Sequence, residues 1–251
     1  MTACGGAPAS GAPDAGAADA STDVAPVGQL FFYRDHTTTP SHDYFSGSLP
    51  PSESSGCTPV IAGACERFAC PLQLPESQSA GTLTLTTTAG TLTVDPKAQT
   101  QGGGGYLTNL TAPGFQSGDA LGVAASGAAI DAFGPVQVTA PGAIDLVAPQ
   151  ATASIATGQD LVWTWSGGEP GATVVVQAIA ATNGNAAVTV ECTLAATAGT
   201  VTMPAALLAP LAGSQGQLGW GQLRSVVVVA GTYPIELGAA QLARANTTFT
   251  P

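Results

Sequence analysis

An all-β fold is predicted by three features of the sequence. Residues 161–192 contain three apolar runs separated by Gly-rich turns, and in the first run Leu161, Trp163 and Trp165 fall on one face of an extended strand. Runs of this kind recur about every ten residues along the chain, a spacing typical of β-sandwiches. The 32 glycines and a charged fraction of only 8% argue against a soluble helical bundle.

The charge balance argues against two classes of direct partner. Lys and Arg number 5 against 16 Asp and Glu, for a formal net charge of −11 at pH 7. Nucleic acids and anionic lipid headgroups are recognised by clusters of basic residues, so we expect neither as a direct partner. The longest apolar runs, such as residues 226–230, are far shorter than the roughly 20 residues of a membrane-spanning helix.

The first residues are typical of the end of a bacterial lipoprotein signal. Small residues stand before Cys4, the residue that would carry the lipid after cleavage, although the charged and apolar parts of such a signal do not precede it. Residues 5–27 are mainly Gly, Ala, Pro, Ser and Thr, with too little apolar surface to offset the entropy of ordering. We expect residues 1–27 to form a disordered tether that connects a lipid-anchored Cys4 to the folded part.

Residues 28–148 are predicted to form a first sandwich with a cysteine-containing loop. Residues 29–33 open it as a strand, and residues 34–55 are predicted to be a long polar loop. A hairpin follows, in which two strands of alternating Leu or Val and Thr turn at Ala89-Gly90. The remaining strands are predicted at residues 106–110, 119–125 and 136–139.

The predicted long loop contains both histidines, in the pairs Asp35-His36 and His42-Asp43. Each carboxylate is able to orient its imidazole, so the four residues are a candidate metal site. Their spacing matches no known metal motif, and ordinary surface-loop residues are the simpler interpretation. We therefore expect no metal and no other cofactor.

The five cysteines point to disulfides rather than zinc. Cys57, Cys65 and Cys70 lack the two-residue spacing of zinc ligands, and an exported protein favours disulfides. If Cys4 is lipidated, the other four cysteines form two bridges. Two of the three closely spaced cysteines then pair with each other, and the third pairs with Cys192. Otherwise Cys192 and one more cysteine stay free. The sequence leaves both alternatives and the pairing open.

Residues 149–251 are predicted to form a second sandwich with Trp163 in its core. Asn183-Gly184 is a tight-turn signal between two of its central strands. Residues 202–210 begin with Thr and Pro before Ala and Leu, which predicts a short helix. The closing strands are predicted at residues 225–229, 232–237 and 243–249. A Val-rich run on an open sheet edge promotes aggregation, so we expect residues 225–229 to be internal.

Several of these motifs occur in a characteristic order. They are the Cys4-led tether, the hairpin, Ala132-Phe133, Ala140-Pro141-Gly142, residues 160–165, Val190-Glu191-Cys192-Thr193 and residues 202–208. Together they resemble predicted cell-surface lipoproteins that are abundant in myxobacteria and their relatives. The resemblance spans most of the chain and implies an architecture and a location in the bacterial cell envelope, at the outer membrane or cell surface. It carries over no functional residue.

No catalytic constellation is present in the sequence. The Gly-x-Ser-x-Gly pattern does not occur, and only His36 and His42 are available to activate a serine. A binding site is the better hypothesis, because exposed aromatic rings next to amides and carboxylates are able to bind sugars. The candidates are Trp220, between two glycines in a predicted loop, and the first-loop aromatics Tyr33, Tyr44 and Phe45.

The sequence therefore predicts two tandem immunoglobulin-like β-sandwich domains, residues 28–148 and 149–251, behind a tether of residues 1–27. We expect a non-enzymatic, lipid-anchored envelope protein with a structural or interaction role. Its partners are expected to be the membrane, through the lipid, and an envelope protein or glycan. The alternative is a module that binds carbohydrate or peptidoglycan through loop aromatics.

Overall fold

A computed structural model describes residues 28–37, 40–49, 58–71, 77–97, 105–111, 114–151, 154–182 and 186–251. The predicted all-β class is confirmed, because these residues form seventeen strands and one short α-helix. The strands are β1 (Gly28–Asp35), β2 (His42–Ser48), β3 (Thr58–Ala62), β4 (Cys65–Pro71), β5 (Leu83–Thr87), β6 (Gly90–Val94), β7 (Tyr106–Asn109), β8 (Ala120–Ala125), β9 (Phe133–Thr139), β10 (Asp145–Ala148), β11 (Ile155–Ala156), β12 (Leu161–Ser166), β13 (Thr173–Thr182), β14 (Ala186–Ala195), β15 (Thr200–Met203), β16 (Gln215–Ala230) and β17 (Tyr233–Thr250). The helix, α1 (Ala205–Leu208), lies between β15 and β16, within the segment predicted to be helical.

The strands form one large sheet and two small ones. The 10-stranded sheet has the order β3-β4-β14-β13-β16-β17-β1-β2-β7, and β11 pairs with the far end of β17. The 4-stranded sheet has the order β6-β5-β8-β9, and it contains the predicted hairpin around Ala89-Gly90. The 3-stranded sheet has the order β10-β12-β15. Each small sheet covers one part of the large sheet.

Two separate tandem immunoglobulin-like domains are not confirmed. β4, from the first expected half, pairs with β14 of the second, and β1 pairs in parallel with β17. Strand pairing therefore runs across the expected boundary between residues 148 and 149. The reason is the length of β16 and β17, which hold 16 and 18 residues and span about 55 Å at roughly 3.3 Å per residue. This one hairpin therefore pairs with β1 of the first expected half and with β13 of the second.

Two hydrophobic cores lie on the inner face of the large sheet. The first fills the space under the 4-stranded sheet and is built around Phe32, Phe45 and Phe115, whose rings contact edge to face. The second fills the space under the 3-stranded sheet and contains the predicted core residue Trp163, which is fully buried, together with Cys192. The alternation of apolar residues seen in the sequence corresponds to these two buried faces.

Two glutamines mark the junction between the cores. Gln222 of β16 and Gln241 of β17 face each other across the long hairpin, and both are buried. Their side-chain amides donate to the carbonyl oxygens of Gly142 and Pro141, respectively. Buried amides are stable only when they are hydrogen-bonded, so these contacts fix the segment between β9 and β10 beneath the hairpin.

A strand occupies part of the predicted loop of residues 34–55. In β2, Asp43 and Phe45 point inward and alternate with outward His42, Tyr44 and Ser46. The prediction was wrong because a carboxylate at an inward position interrupts the apolar alternation. The charge is tolerated there because Arg34 of β1 pairs with Asp43, as discussed below.

The Val-rich run is also placed differently from the expectation. β13 pairs with β16 only as far as Leu223, so among the described residues β17 alone pairs with residues 224–230. The expectation of an internal position is therefore wrong, because the hairpin extends beyond its neighbour. Within the described part of the chain, no helix is long and apolar enough to cross a membrane.

Candidate functional site

A groove of about 520 Å³ lies on the outer face of the large sheet, the face that points away from both cores. In β1 the inward side chains of Leu30 and Phe32 belong to the first core, whereas the alternate side chains of Phe31 and Tyr33 line the groove. β13 and β14 form one wall, β1 and β2 form the other, and β16 and β17 lie between them as the floor.

Glycines lower the floor of this groove. Gly219 lies opposite Gln177 of β13, and Gly221 lies opposite Val175. A Cβ atom on Gly221 would overlap the carbonyl oxygen of Gln241, so only glycine allows β16 and β17 to approach so closely at this point. The floor therefore carries no side chains at these positions, while the strands on both sides carry full ones.

One wall is part of a column of four rings, of which Phe31, Tyr33 and Tyr44 line the groove and His42 extends the column beyond it. The ring centroids of Phe31 and Tyr33 lie 5.7 Å apart, those of Tyr33 and Tyr44 lie 5.0 Å apart, and those of Tyr44 and His42 lie 5.5 Å apart. The Phe31 ring, at one end of the column, packs directly on the backbone of Gly238. A Cβ atom at position 238 would overlap this ring, so glycine is needed there. Tyr33 and Tyr44 form a cross-strand pair, and such aromatic pairs stabilise a sheet and hold the rings in place.

The opposite wall is polar and internally hydrogen-bonded. The Gln177 amide Nε2 donates to Glu191 Oε2 at 2.5 Å, and the Thr193 hydroxyl donates to Glu191 Oε1 at 3.2 Å. At the far end of the groove, Gln29 Nε2 donates to Glu236 Oε2 at 3.3 Å. Both carboxylates are thus oriented by neighbours that leave further oxygen lone pairs available for a ligand.

The two tyrosines in the groove keep their protons over a wide pH range. Burial, with smaller contributions from Tyr44 and Glu236, raises the pKa of Tyr33 to about 12, although Arg244 acts in the opposite direction. Burial also raises the pKa of Tyr44. At neutral pH both phenol groups are therefore neutral and able to donate a hydrogen bond.

The structure separates the aromatic residues that the sequence singled out. Tyr33 and Tyr44 lie side by side in the groove. Tyr33 is on β1, which includes the strand predicted for residues 29–33, whereas Tyr44 is on β2 rather than in the predicted loop. Trp220 also lies in a strand, β16, where it is half-buried and packs against the second core, although it borders the groove. Phe45 is fully buried in the first core. Sequence reasoning took the glycines on either side of Trp220 as loop signals, whereas they form the groove floor.

The four candidate metal residues do not converge. They are Asp35, His36, His42 and Asp43. Asp43 forms an ion pair with Arg34, whereas His36 and His42 lie 2.7 and 3.2 Å from side-chain amide oxygens. In the described ranges, no group of three or more His, Cys, Asp or Glu side chains is placed to hold a metal ion.

One of the possible disulfides is present. Cys65 lies on β4 rather than in the predicted cysteine-containing loop, because this segment pairs with β14. Cys65 lies directly opposite Cys192 of β14, and the two are bonded. Cys192 is therefore paired with one of the three closely spaced cysteines rather than free, which is one of the two alternatives that the sequence left open. Cys4 and Cys57 lie outside the described residues, so lipidation and a second bridge stay predictions.

Sequence reasoning missed the polar side of the groove. Gln177, Glu191 and Arg244 lie on three different strands, and no local motif connects them. One signal was available: in Leu218-Gly219-Trp220-Gly221-Gln222 the glycines occupy alternate positions, which places both on one face of a strand. Glycines in such a pattern indicate a side-chain-free strip rather than a loop.

Comparison with protein-family models and with curated proteins finds no match to this chain. The function is therefore argued from the groove and from the sequence features alone.

Proposed function

We propose that this protein is a non-catalytic glycan-binding protein and that the groove is its ligand site. The observation that carries the proposal is that an aromatic wall and a wall of amide and carboxylate groups face each other across one glycine-floored depression. A sugar has matching surfaces: its apolar C–H groups suit the aromatic wall, and its hydroxyl groups suit the amides and carboxylates of the other wall. A volume of about 520 Å³ is also within the usual range for ligand sites.

The aromatic column contacts a sugar mainly through ring edges and phenol groups in this proposal. The faces of Tyr33 and Tyr44 already cover each other at a centroid distance of 5.0 Å. Ring edges carry partial positive charge and attract the lone pairs of sugar hydroxyls, while the phenols donate and accept hydrogen bonds. Each tyrosine therefore contributes both apolar surface and a polar group at the edge of the ring.

The spacing of the carboxylates supports a binding role over glycoside hydrolysis. Glu191 lies in the same cross-strand row as Gln177, Gly219 and Arg244. Glu236 lies on β17 eight residues before Arg244, which places it about 26 Å from that row at roughly 3.3 Å per residue. Glycosidases hold their two carboxyl groups within about 10 Å of each other. The two glutamates of the groove are thus suited to separate contacts along a ligand.

We also propose that a lipid on Cys4 anchors the protein in the bacterial cell envelope, at the outer membrane or cell surface. The sequence around Cys4, the composition of residues 5–27 and the resemblance to surface lipoproteins support this location. The Cys65–Cys192 disulfide supports it too, since disulfides persist mainly outside the reducing cytoplasm. In this proposal each core is an immunoglobulin-like sandwich modified by the shared hairpin, and the tether presents the groove to surrounding glycans.

Replacing Tyr33 with alanine is expected to weaken glycan binding at least tenfold. The substitution removes the centre of the ring column, so it takes away a contact and also releases Tyr44 from its neighbour. Buried or half-buried Tyr residues often contribute this much at binding sites, where tenfold corresponds to about 1.4 kcal/mol. Glycan-array screening of the wild-type protein followed by calorimetry with the best oligosaccharide provides the measurement.

Two further variants make this test specific. Tyr33→Phe keeps the ring and should lose only a fewfold, whereas Val147→Ala, an exposed change on the 3-stranded sheet, should bind like wild type. An array without any bound glycan, or equal affinities for Tyr33→Ala and Val147→Ala, would show that the groove is not a glycan site.

The lipid anchor has its own test in cells. When the gene is expressed with its native upstream sequence, the protein should incorporate labelled fatty acid, and Cys4→Ala should abolish incorporation and release the protein from the membrane fraction. Val147→Ala, an exposed change that leaves the N-terminal region and the disulfide intact, serves as the control and should remain labelled. Label that persists in Cys4→Ala would contradict the proposed anchor.

A further inference from the structure

Arg244 is a cation in the groove that forms no ion pair with any described residue. The chain has only 5 Lys and Arg residues, and two of them form ion pairs, Arg34 with Asp43 and Arg224 with Glu169. Arg244 lines the groove and is exposed, and among the described residues no carboxylate lies within ion-pair distance of it. Arg67 and Lys97 also form no ion pair with a described residue, but of these three cations only Arg244 lines the groove.

The surroundings of Arg244 explain why it stays unpaired. Its neighbour in β16 is Gly219, which has no side chain to offer. Glu191 is in the same row, but three strands away, or about 14 Å at roughly 4.8 Å per strand, and it is already bonded to Gln177. On the other side, Asp35 of β1 lies opposite Leu242, two residues from Arg244, but its carboxylate accepts a hydrogen bond from the Thr37 backbone amide and forms no ion pair with Arg244. The neutral phenols of Tyr33 and Tyr44 also lie on this side. A ligand is therefore the natural partner for this guanidinium.

We propose that the groove prefers glycans that carry a carboxylate and that Arg244 determines this preference. The inference rests on the proposed glycan-binding function and adds the ligand class to it. A guanidinium binds a carboxylate through two parallel hydrogen bonds, with a geometry that a hydroxyl group does not reproduce. The ring column and Glu191 then hold the neutral parts of the same glycan.

The overall charge restricts the ligand further. A net charge of −11 repels a dense polyanion at long range, whereas a glycan with one carboxylate per repeat experiences less repulsion. Because Arg244 is exposed, solvent screens its interaction, so the expected preference is moderate, about tenfold, and should decrease with salt.

The experiment compares three tetrasaccharides by calorimetry on the full chain. Chitotetraose, built from N-acetylglucosamine, is neutral. A peptidoglycan tetrasaccharide alternates N-acetylglucosamine with N-acetylmuramic acid and thus adds lactyl carboxylates. A hyaluronan tetrasaccharide alternates N-acetylglucosamine with glucuronic acid and thus carries the carboxylate on the ring. At least one acidic tetrasaccharide should bind about tenfold more tightly than chitotetraose, and the one that does identifies the source of the carboxylate.

Variants at Arg244 decide the role of this residue. Arg244→Met should reduce the preference to less than twofold, because it weakens binding of the acidic tetrasaccharides about tenfold and binding of chitotetraose far less, whereas Arg244→Lys should keep part of the preference. Equal binding of all three sugars, no binding of any of them, or a preference that survives Arg244→Met overturns the inference. The proposed function is decided separately, by the glycan array and Tyr33→Ala, so a failure of one is distinguishable from a failure of the other.

Discussion

Replacing Cys65 and Cys192 together with alanine is expected to lower the free energy of unfolding by about 3–5 kcal/mol. The disulfide joins residues separated by 127 positions, and a cross-link that closes so long a loop restricts the unfolded chain strongly. Both half-cystines are also buried in the second core, where they join β4 to β14. Urea denaturation of the oxidised wild type and of the double variant measures the difference.

The single variants separate the cross-link from ordinary packing. If the bond itself is responsible, Cys65→Ala and Cys192→Ala should each cost almost as much as the double change, because either one removes the whole bond. Additive single effects of about 1 kcal/mol each would instead indicate two small packing defects, and the disulfide would then contribute little to stability.

Replacing Asp43 with alanine is expected to cost a similar amount, about 3–5 kcal/mol, because it leaves Arg34 without its partner in a nearly buried position. Arg34 Nε and Nη2 donate to the two Asp43 carboxylate oxygens at 2.8 and 2.7 Å, and Asp43 is only 3% exposed. The Gly114 backbone amide donates to the same carboxylate at 2.7 Å, and the guanidinium lies 5.3 Å from the centre of the Phe115 ring. The pair therefore joins β1 and β2 to the segment before β8. Thermal or urea unfolding provides the measurement.

The pH dependence of stability provides an independent check on this ion pair. Burial alone would raise the pKa of the Asp43 carboxyl, but hydrogen bonds from Arg34 and from the Gly114 and Phe115 amides hold the pKa below its ordinary value. A carboxyl group with a lowered folded-state pKa stabilises the fold fully above its unfolded pKa of about 3.9. This contribution is lost as the pH falls through the folded-state pKa.

A matched double variant tests the same pair at neutral pH. Arg34→Met with Asp43→Leu replaces both charges by apolar side chains and should cost clearly less than Asp43→Ala, because no buried charge remains unpaired. Asp43→Asn should lose less stability than wild type between pH 5 and pH 3. Equal stability of Asp43→Ala and wild type at pH 7 would mean that the ion pair is only a surface interaction.

Local patterns in the sequence predicted most of the strands. The hairpin around Ala89-Gly90, the Trp163 strand and the short helix after Met203 all lie where alternation, turn residues and helix-start residues placed them. These features depend on neighbours within a few residues, so periodicity alone is sufficient to detect them. β2 was missed for the converse reason, because its buried Asp43 is explained only by Arg34 of the preceding strand.

The candidate site was predictable only in part. Tyr33 and Tyr44 were selected as aromatic residues in a polar context, and the structure places them together in the groove. Nothing in the sequence marks the polar residues of the groove, Gln177, Glu191 and Arg244, as parts of a binding site, because polar residues that face outward on a strand are common. Their meeting depends on the order of strands in the large sheet.

The sequence by itself determined the all-β class and the apolar inner faces of the strands, because each follows from composition or from a period of two residues. The predicted tether of residues 1–27 lies outside the described residues and stays a prediction. Only the tertiary structure decided that one long hairpin serves both cores, that Cys65 pairs with Cys192 and that a glycine-floored groove lies on the outer face. The physical reason is that strand alternation tells which face of a strand is buried but not which strands are neighbours. Sheet order is set by contacts between residues that are far apart in the chain, and the groove is a product of that order.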